Sequence, residues 1–180
     1  MKRQNRQALA IIALSLGTIA FTLTLLPREV TTVILVRHAE KATVVAGDSA
    51  DDPGLTAEGA QRAAALATML ADTGLDAVIS SQYQRTMQTA GPVAEALGLT
   101  PVTIPAQDQA ALIEAIMSDY RGQTVLIVGH SNTVPSIMAD LGLEDPPAIA
   151  EGDYGDLFIV TVYTRLLVSR IAMTRLRYGE

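Results

Sequence analysis

The sequence predicts an α/β protein, with a three-layer sandwich and a mostly parallel central sheet over residues 31–180, preceded by one N-terminal transmembrane helix. Consecutive branched apolar residues at 33–36 and 124–128 are typical of strands buried on both faces of a parallel sheet. Longer segments with helical spacing separate these runs, and repeated strand–helix units favour helices on both faces of one sheet. An uncharged apolar stretch at 8–26 indicates the transmembrane helix.

The domain from residue 31 onward is predicted to alternate strands with helices. The predicted strands lie at 33–36, 77–80, 101–104, 124–128, 157–163 and 168–175. The predicted helices lie between Thr56 and Gly74 and at 82–97, 108–120 and 133–141. Thr56 is a suitable cap for the first helix, whose expected apolar stripe consists of Ala60, Ala63, Ala64, Ala67 and Leu70. The Gly91-Pro92 pair is expected to kink or interrupt the second helix.

Residues 1–30 are predicted to be a basic head followed by a membrane anchor. The uncharged stretch at 8–26 just reaches the roughly 20 apolar residues that a helix needs to span a bilayer. The basic head favours the cytoplasmic side, so the catalytic domain is expected on the outer, periplasmic side of the inner membrane. The alternatives are a signal peptide cleaved near Ala20, which releases the domain into the periplasm, and a buried core helix.

Composition excludes several classes of function. The chain has 13 Lys+Arg against 19 Asp+Glu, and the basic head holds three of those cations, which leaves the rest more acidic still. An acidic surface is a poor general binder of nucleic acid, so no nucleic-acid partner is expected. With no cysteine, disulfides, thiolate metal sites and cysteine nucleophiles are excluded.

Polar side chains follow the predicted strands at the edge of the sheet where ligands collect in α/β proteins. Arg37 and His38 follow the first strand, His130 follows the fourth, and Arg85 lies a few residues beyond the second. His38 and His130 are the only two histidines in the sequence. Because the carboxyl ends of parallel strands share one edge, the four side chains are expected to meet there.

Two imidazoles and two arginines suit phosphoryl transfer. A neutral imidazole nitrogen is a nucleophile that needs no strong base to activate it. A guanidinium group can bind two phosphoryl oxygens at once, and it neutralises charge in the transition state. The sequence has no Walker-type glycine loop, which argues against nucleotide binding of that kind.

Four motifs, in this order, span most of residues 32–141: Leu35-Val36-Arg37-His38-Ala39-Glu40, Leu55-Thr56-x-x-Gly59, Arg85-Thr86-x-x-Thr89-Ala90 and Gly129-His130-Ser131. With them the sequence resembles the histidine phosphatase superfamily, in its phosphoglycerate-mutase-like branch, and especially the small bacterial phosphohistidine phosphatases. The resemblance implies that His38 attacks phosphorus and becomes a phosphohistidine, which water then hydrolyses. It also implies that Arg37, Arg85 and His130 form the phosphate pocket, and that no metal or other cofactor is required.

The sequence departs from the family pattern at the proton donor, because no clear Glu motif follows the second arginine. Asp108 is the tentative donor, although its place before an apolar helix equally suits a helix cap. Glu40, Glu114 and Asp153 are the other candidates. A missing donor favours substrates with good leaving groups, such as phosphohistidine or phosphoanhydrides.

Three hypotheses for function follow. The first is a metal-independent phosphatase that acts on a small phosphorylated substrate or a phosphoprotein. The second is a catalytically idle module on the same fold that binds a phosphorylated ligand. The third is a hydrolytic metal site built from His38, Glu40 and His130.

Overall fold

The computed structural model of the protein describes residues 29–43, 52–165 and 168–179. Its elements are β1 (Glu29–Arg37), α1 (Ala57–Leu70), β2 (Ala77–Ser80), α2 (Gln84–Leu97), β3 (Val102–Thr103), α3 (Gln109–Met117), β4 (Thr124–Gly129), α4 (Thr133–Asp140), β5 (Asp156–Arg165) and β6 (Val168–Arg177). The predicted alternation of strands and helices is confirmed. Its first strand begins earlier than expected, at Glu29.

All six strands form one mixed sheet in the order β3-β2-β4-β1-β5-β6. The first four strands in that order pair parallel, as the apolar runs predict, and β1·β5 and β5·β6 pair antiparallel. The antiparallel end has a simple cause, because Arg165 pairs with Val168 and so short a connection cannot join parallel strands. The α/β class is therefore confirmed. Strands β3, β2, β4 and β1 are parallel, and β5 and β6 each pair antiparallel with their neighbours.

Helices cover both faces of the sheet. Successive residues of β1 alternate between two apolar clusters, with Val33 and Leu35 in one and Ile34 and Val36 in the other. The first cluster includes buried residues of α3 and α4, and the second includes buried residues of α1 and α2. This is the three-layer arrangement that the sequence predicts, and it leaves the strand ends open as a binding edge.

Helix α1 begins as predicted, but its buried face differs. Thr56 is the N-cap, and its side-chain oxygen accepts a hydrogen bond from the Gly59 amide at 3.1 Å. The buried residues of the helix are Gly59, Ala63, Leu66 and Leu70. Ala60 and Ala64 are exposed, because the buried face is set by the larger side chain of Leu66. An alanine-rich pattern does not distinguish the two faces well.

Gly91-Pro92 was expected to kink or interrupt α2, and the interruption is wrong, because α2 is one continuous helix from Gln84 to Leu97 with Pro92 inside it. The kink stays a prediction. Proline removes one backbone donor and costs roughly 3 kcal/mol in a helix interior. Ala90, Val93 and Ala94 are buried on either side of it, and this packing holds the helix together.

The predicted basic head and anchor at 1–30 lie outside the described residues, apart from Glu29 and Val30 in β1. Within the described ranges, no helix is long and apolar enough to cross a bilayer.

Candidate active site

The two histidines leave the sheet side by side. Arg37 at the end of β1 pairs with Gly129 at the end of β4, so the next residue in each strand is a histidine. The His38 amide donates to the Gly129 carbonyl at 2.9 Å, and the two ring centroids are 5.4 Å apart. Parallel pairing of β1 with β4 therefore brings together residues that are far apart in the chain.

His38 is held in one tautomer. Its Nδ1 lies 2.7 Å from the carbonyl oxygen of Ala39, and a carbonyl only accepts hydrogen bonds, so Nδ1 holds the proton. The lone pair of the neutral ring is therefore on Nε2. Burial lowers the pKa of His38 to about 4, the Ala39 hydrogen bond opposes that shift, and the nearby charges on His130 and the two arginines add to it. Nε2 is unprotonated at neutral pH and available as a nucleophile.

Helix α2 supports this turn and supplies the second arginine. The Ala39 amide donates to the Thr89 hydroxyl at 3.0 Å, and that hydroxyl donates to the Arg85 carbonyl at 2.7 Å. The Arg85 side chain lies over the Tyr83 ring at 4.3 Å and contacts the Asp52 carboxylate at 3.3 Å. The Arg-Thr-x-x-Thr motif is thus the part of α2 that faces the His38 turn.

His130 is the second imidazole of the site. Its Nε2 lies 3.0 Å from the Ser81 hydroxyl, just beyond the end of β2. Burial lowers the pKa of His130 to about 4, with further lowering by the charges of Arg85 and Arg37 and a smaller opposing effect of Asp52. Both imidazoles are therefore neutral at pH 7, and the positive charge of the cavity lining comes from Arg37, Arg85 and Lys41.

Arg37 is buried, with 2% of its side chain exposed, and it binds the loop before β5. Its Nη1 donates to the carbonyl oxygens of Ala150, Glu151 and Asp153 at 2.8, 2.6 and 3.2 Å. Its Nη2 donates to the Glu151 carboxylate at 3.0 Å, and its guanidinium lies over the Tyr154 ring at 4.2 Å. Among the described residues its Nε has no hydrogen-bond partner.

The four predicted side chains line one cavity of about 470 Å³. It is lined by Arg37, His38, Lys41, Tyr83, Arg85, Ala106, Gln107, His130, Ser131, Asn132, Thr133 and Glu151. This lining is mostly polar, and the volume exceeds what a phosphate group alone requires. The cavity therefore has room for part of a leaving group as well as for the phosphoryl group.

The candidate proton donors lie elsewhere. Asp108 is exposed and caps α3, where it accepts a hydrogen bond from the Ala111 amide at 3.2 Å. Glu40 pairs with Arg62 at 2.8 Å, and Asp153 pairs with Arg177 at 3.2 Å. Glu114 is exposed on α3. None of these four lines the cavity in the described part of the chain.

Sequence reasoning missed Glu151, which is the only carboxylate among the described residues that line the cavity. Its side chain is 87% exposed, and it lies in a loop without periodic pattern, so no local signal indicated it. Tyr83 and Ser81 were also missed, although both are adjacent to recognised motifs. The simple signal that could have found them is their position just after the end of β2.

A metal site of His38, Glu40 and His130 is not formed in the described ranges. No group of three or more His, Asp or Glu side chains there is placed to hold a metal ion. Glu40 instead pairs with Arg62 and fixes the start of α1 to the turn that follows His38.

Fold and site together define a class: an α/β protein with two imidazoles and two guanidiniums around one open cavity at the carboxyl edge of its sheet. Residues 33–108 match the family model of the histidine phosphatase superfamily (branch 1). This match supports the resemblance to the superfamily that the motifs predict.

Several known proteins are similar to this chain. A PE-PGRS family protein of Mycobacterium tuberculosis is 40% identical over 123 residues, which cover 65% of this chain and 20% of that protein. The chain thus spans about a fifth of the length of that relative.

Two solved structures share the fold at lower identity. The structure of the protein histidine phosphatase SixA complexed with tungstate is 21% identical, with a TM-score of 0.60, over 81% of this chain and 96% of the other. A mycobacterial glucosyl-3-phosphoglycerate phosphatase in complex with VO3 is 15% identical, with a TM-score of 0.64, over 82% of this chain and 99% of the other.

Proposed function

We propose that this protein is a phosphatase that hydrolyses a phosphomonoester or a phosphorylated side chain through a covalent phosphohistidine on His38. The observation that supports this most directly is the convergence of His38, His130, Arg37 and Arg85 on one cavity. The Ala39 hydrogen bond adds to it, because it leaves the His38 Nε2 lone pair free. The match to the superfamily model and the phosphatase names of two structural neighbours support the same proposal.

The reaction proceeds in two displacements. In the first, a bond forms between His38 Nε2 and phosphorus while the bond from phosphorus to the ester oxygen breaks, and that oxygen takes a proton from solvent in the open cavity. In the second, water attacks phosphorus and releases a proton to solvent, the P–N bond breaks, and its electron pair returns to Nε2 as inorganic phosphate leaves. Arg37 and Arg85 neutralise the charge that the equatorial oxygens hold in each transition state.

The substrate has a leaving group that needs little help from an acid. Glu151 is the only carboxylate among the described lining residues, and it is paired with Arg37. Its carboxylate accepts a hydrogen bond from Arg37 at 3.0 Å, so it is already engaged before a substrate binds. Phosphohistidine and phosphoanhydrides fit these conditions better than alkyl esters do. The chemistry uses no metal ion.

Acid-labile phosphate labelling tests the proposal. The wild-type protein is expected to turn over p-nitrophenyl phosphate, to resist chelators, to be inhibited by vanadate and to trap phosphate in an acid-labile bond. His38→Ala should lose turnover and label together. Ser80→Ala is the matched control, because Ser80 is a buried neighbour of the site whose hydroxyl has no partner in the described residues. Label that persists in His38→Ala would place the nucleophile elsewhere.

A catalytically idle module that binds a phosphorylated ligand is the second candidate. The observation that favours it is the lack of an unpaired carboxylate among the described lining residues. Such a module binds phosphate or vanadate, measured by calorimetry, and turns over neither p-nitrophenyl phosphate nor acetyl phosphate. Measurable turnover that depends on His38 excludes it.

We also propose that the basic head and the apolar stretch at 8–26 anchor the protein to the inner membrane, with the domain that begins at β1 on the periplasmic side. The basic head and the uncharged stretch at 8–26 support this. Membrane fractionation and protease treatment of spheroplasts test it. A full-length product in the soluble cytoplasmic fraction would contradict the anchor, and a shortened product in the periplasm would indicate a cleaved signal.

A further inference from the structure

A chain of buried hydroxyl groups ends on His130. The Ser81 hydroxyl lies 3.0 Å from His130 Nε2 and 2.8 Å from the Thr86 hydroxyl. The Thr86 hydroxyl also lies 3.0 Å from the Ser81 carbonyl oxygen and 2.7 Å from the Tyr83 carbonyl oxygen. Ser81 is 6% exposed and Thr86 is 0% exposed, so bulk water does not compete for these hydrogen bonds.

The direction of each hydrogen bond follows from the number of protons. The Thr86 hydroxyl has one proton and faces two carbonyl oxygens, which only accept, so it donates to a carbonyl and accepts from Ser81. The single proton of Ser81 is therefore used on Thr86. The remaining contact of Ser81 must be one in which its oxygen accepts, and the donor is His130 Nε2–H.

We infer that Ser81, oriented by Thr86, is a positioning residue that fixes His130 as its Nε2–H tautomer and leaves Nδ1 as the one ring atom able to exchange a proton with the cavity. Within the described residues Nδ1 has no hydrogen-bond partner, and His130 lines the cavity. The inference deepens the proposed function and rests on it for its role in turnover.

This arrangement lets His130 exchange protons with the cavity, where the described lining residues include no unpaired carboxylate. The charged groups that act on the ring are Arg85, Arg37 and Asp52, with His38 and Tyr83 in ring contact. A bound phosphoryl group adds negative charge beside two arginines, which favours protonation of the ring at Nδ1. Nδ1–H then donates to a phosphoryl or leaving-group oxygen, and Nδ1 is free to accept a proton again when water attacks.

Nuclear magnetic resonance of histidine labelled with ¹⁵N tests the tautomer directly. The chain has only two histidines, so a protein purified without a histidine tag gives two ring systems. We expect the Nδ1–H pattern for His38 and the Nε2–H pattern for His130 at pH 7. An Nδ1–H pattern for His130 in the wild-type protein would overturn the inference.

Two variants separate positioning from simple packing. Ser81→Ala removes the acceptor, so we expect a mixture of the two His130 tautomers. Thr86→Val removes the acceptor of the Ser81 proton while keeping the side-chain shape. Ser81 can then donate to Nε2, and the Nδ1–H tautomer should gain population. Unchanged tautomers in both variants, with folding verified by the other amide signals, would contradict the proposed role.

Kinetics provide the second measurement. Ser81→Ala should lower kcat by about 10- to 100-fold, a part of the 10²–10⁴-fold that an acid–base group supplies. KM should change little, because the arginines provide most of the phosphate affinity. Ser80→Ala changes the neighbouring buried serine, whose hydroxyl has no hydrogen-bond partner in the described part of the chain. It should leave both constants and the spectrum unchanged. Wild-type kcat in Ser81→Ala would overturn the inference. If the protein has the expected spectrum and no phosphatase activity, the proposed function fails and the positioning by Ser81 stands.

Discussion

Each arginine of the cavity has a carboxylate partner before any substrate binds. Arg37 contacts Glu151 at 3.0 Å, and Arg85 contacts Asp52 at 3.3 Å. The two pairs differ in exposure, because the Glu151 side chain is far more open to solvent than Asp52. Asp52 also accepts the Gln84 amide at 2.9 Å, which ties it to the start of α2. Glu151 is therefore the carboxylate that an incoming phosphate can displace more easily.

Replacing Glu151 with Gln should strengthen phosphate binding. The substitution removes an anion that competes for Arg37, and an ion pair whose carboxylate is open to solvent is worth roughly 0.2–1 kcal/mol. We expect KM for p-nitrophenyl phosphate, and the inhibition constant for phosphate, to fall by up to about 5-fold with kcat nearly unchanged. Glu144→Gln is the control, because Glu144 is exposed in the same connection and does not line the cavity. A higher KM in Glu151→Gln would show that Glu151 assists the substrate instead of competing with it.

At the scale of elements, the start of α1 is fixed against the turn that follows His38. The Glu40 carbonyl accepts the Thr56 amide at 2.9 Å, and a Cβ on Gly59 would overlap that same carbonyl oxygen. The Glu40 side chain adds an ion pair to Arg62 further along the helix. Backbone and side chain of one residue thus connect the nucleophile turn to the helix.

Gly59→Ala should lower the free energy of unfolding by about 1–3 kcal/mol, the usual cost of overpacking against atoms that cannot move freely. Activity should fall as well, since the crowded carbonyl is two residues from His38. Gly91→Ala is the control in α2, where no neighbouring group lies within 4 Å of the added carbon. There the change should stay under about 1 kcal/mol, because better helix propensity and crowding against Pro92 oppose each other. Urea unfolding measures both, and equal effects would contradict the assigned contact.

At the scale of the whole molecule, the two histidines make folding depend on pH. Burial lowers the pKa of each to about 4, against 6.5 for an ordinary histidine. Between pH 6.5 and 4 the unfolded chain therefore binds more protons than the folded protein. The free energy of unfolding should fall as the pH falls through this window, by up to about 1.4 kcal/mol per pH unit for each histidine.

Urea unfolding at pH 7, 6 and 5 measures this dependence. A His38→Gln/His130→Gln double variant should lose less stability over the same range, because it lacks both titrating rings. Parallel losses in the wild-type protein and the double variant would assign the pH dependence to the carboxylates instead.

The sequence was sufficient to predict the strands and the four central side chains, and the reason is geometric. Arg37, His38 and His130 directly follow buried strands, so the parallel pairing of those strands determines where they meet. Glu151 and Tyr154 lie at the same site, but their positions are not determined by strand pairing. Their loop has no hydrophobic period, and its position depends on hydrogen bonds from Arg37 to backbone oxygens, which no spacing in the sequence encodes.

The direction of β5 and β6 and the buried face of α1 are harder to predict from the sequence, for a related reason. Branched runs indicate burial but not strand direction, and alanine fits either face of a helix. Asp108 shows the same limit for a single residue, since a carboxylate before a helix reads equally well as an acid or as a cap. The structure gives it the cap.

Arg37 donates three hydrogen bonds to main-chain oxygens of the loop before β5, beside the one that it donates to the Glu151 carboxylate. These three main-chain hydrogen bonds do not depend on which amino acids the loop contains, provided that the loop keeps its backbone conformation. The side chains of this loop can therefore change during evolution while Arg37 keeps its position. Such changes would alter which phosphorylated compound the cavity prefers.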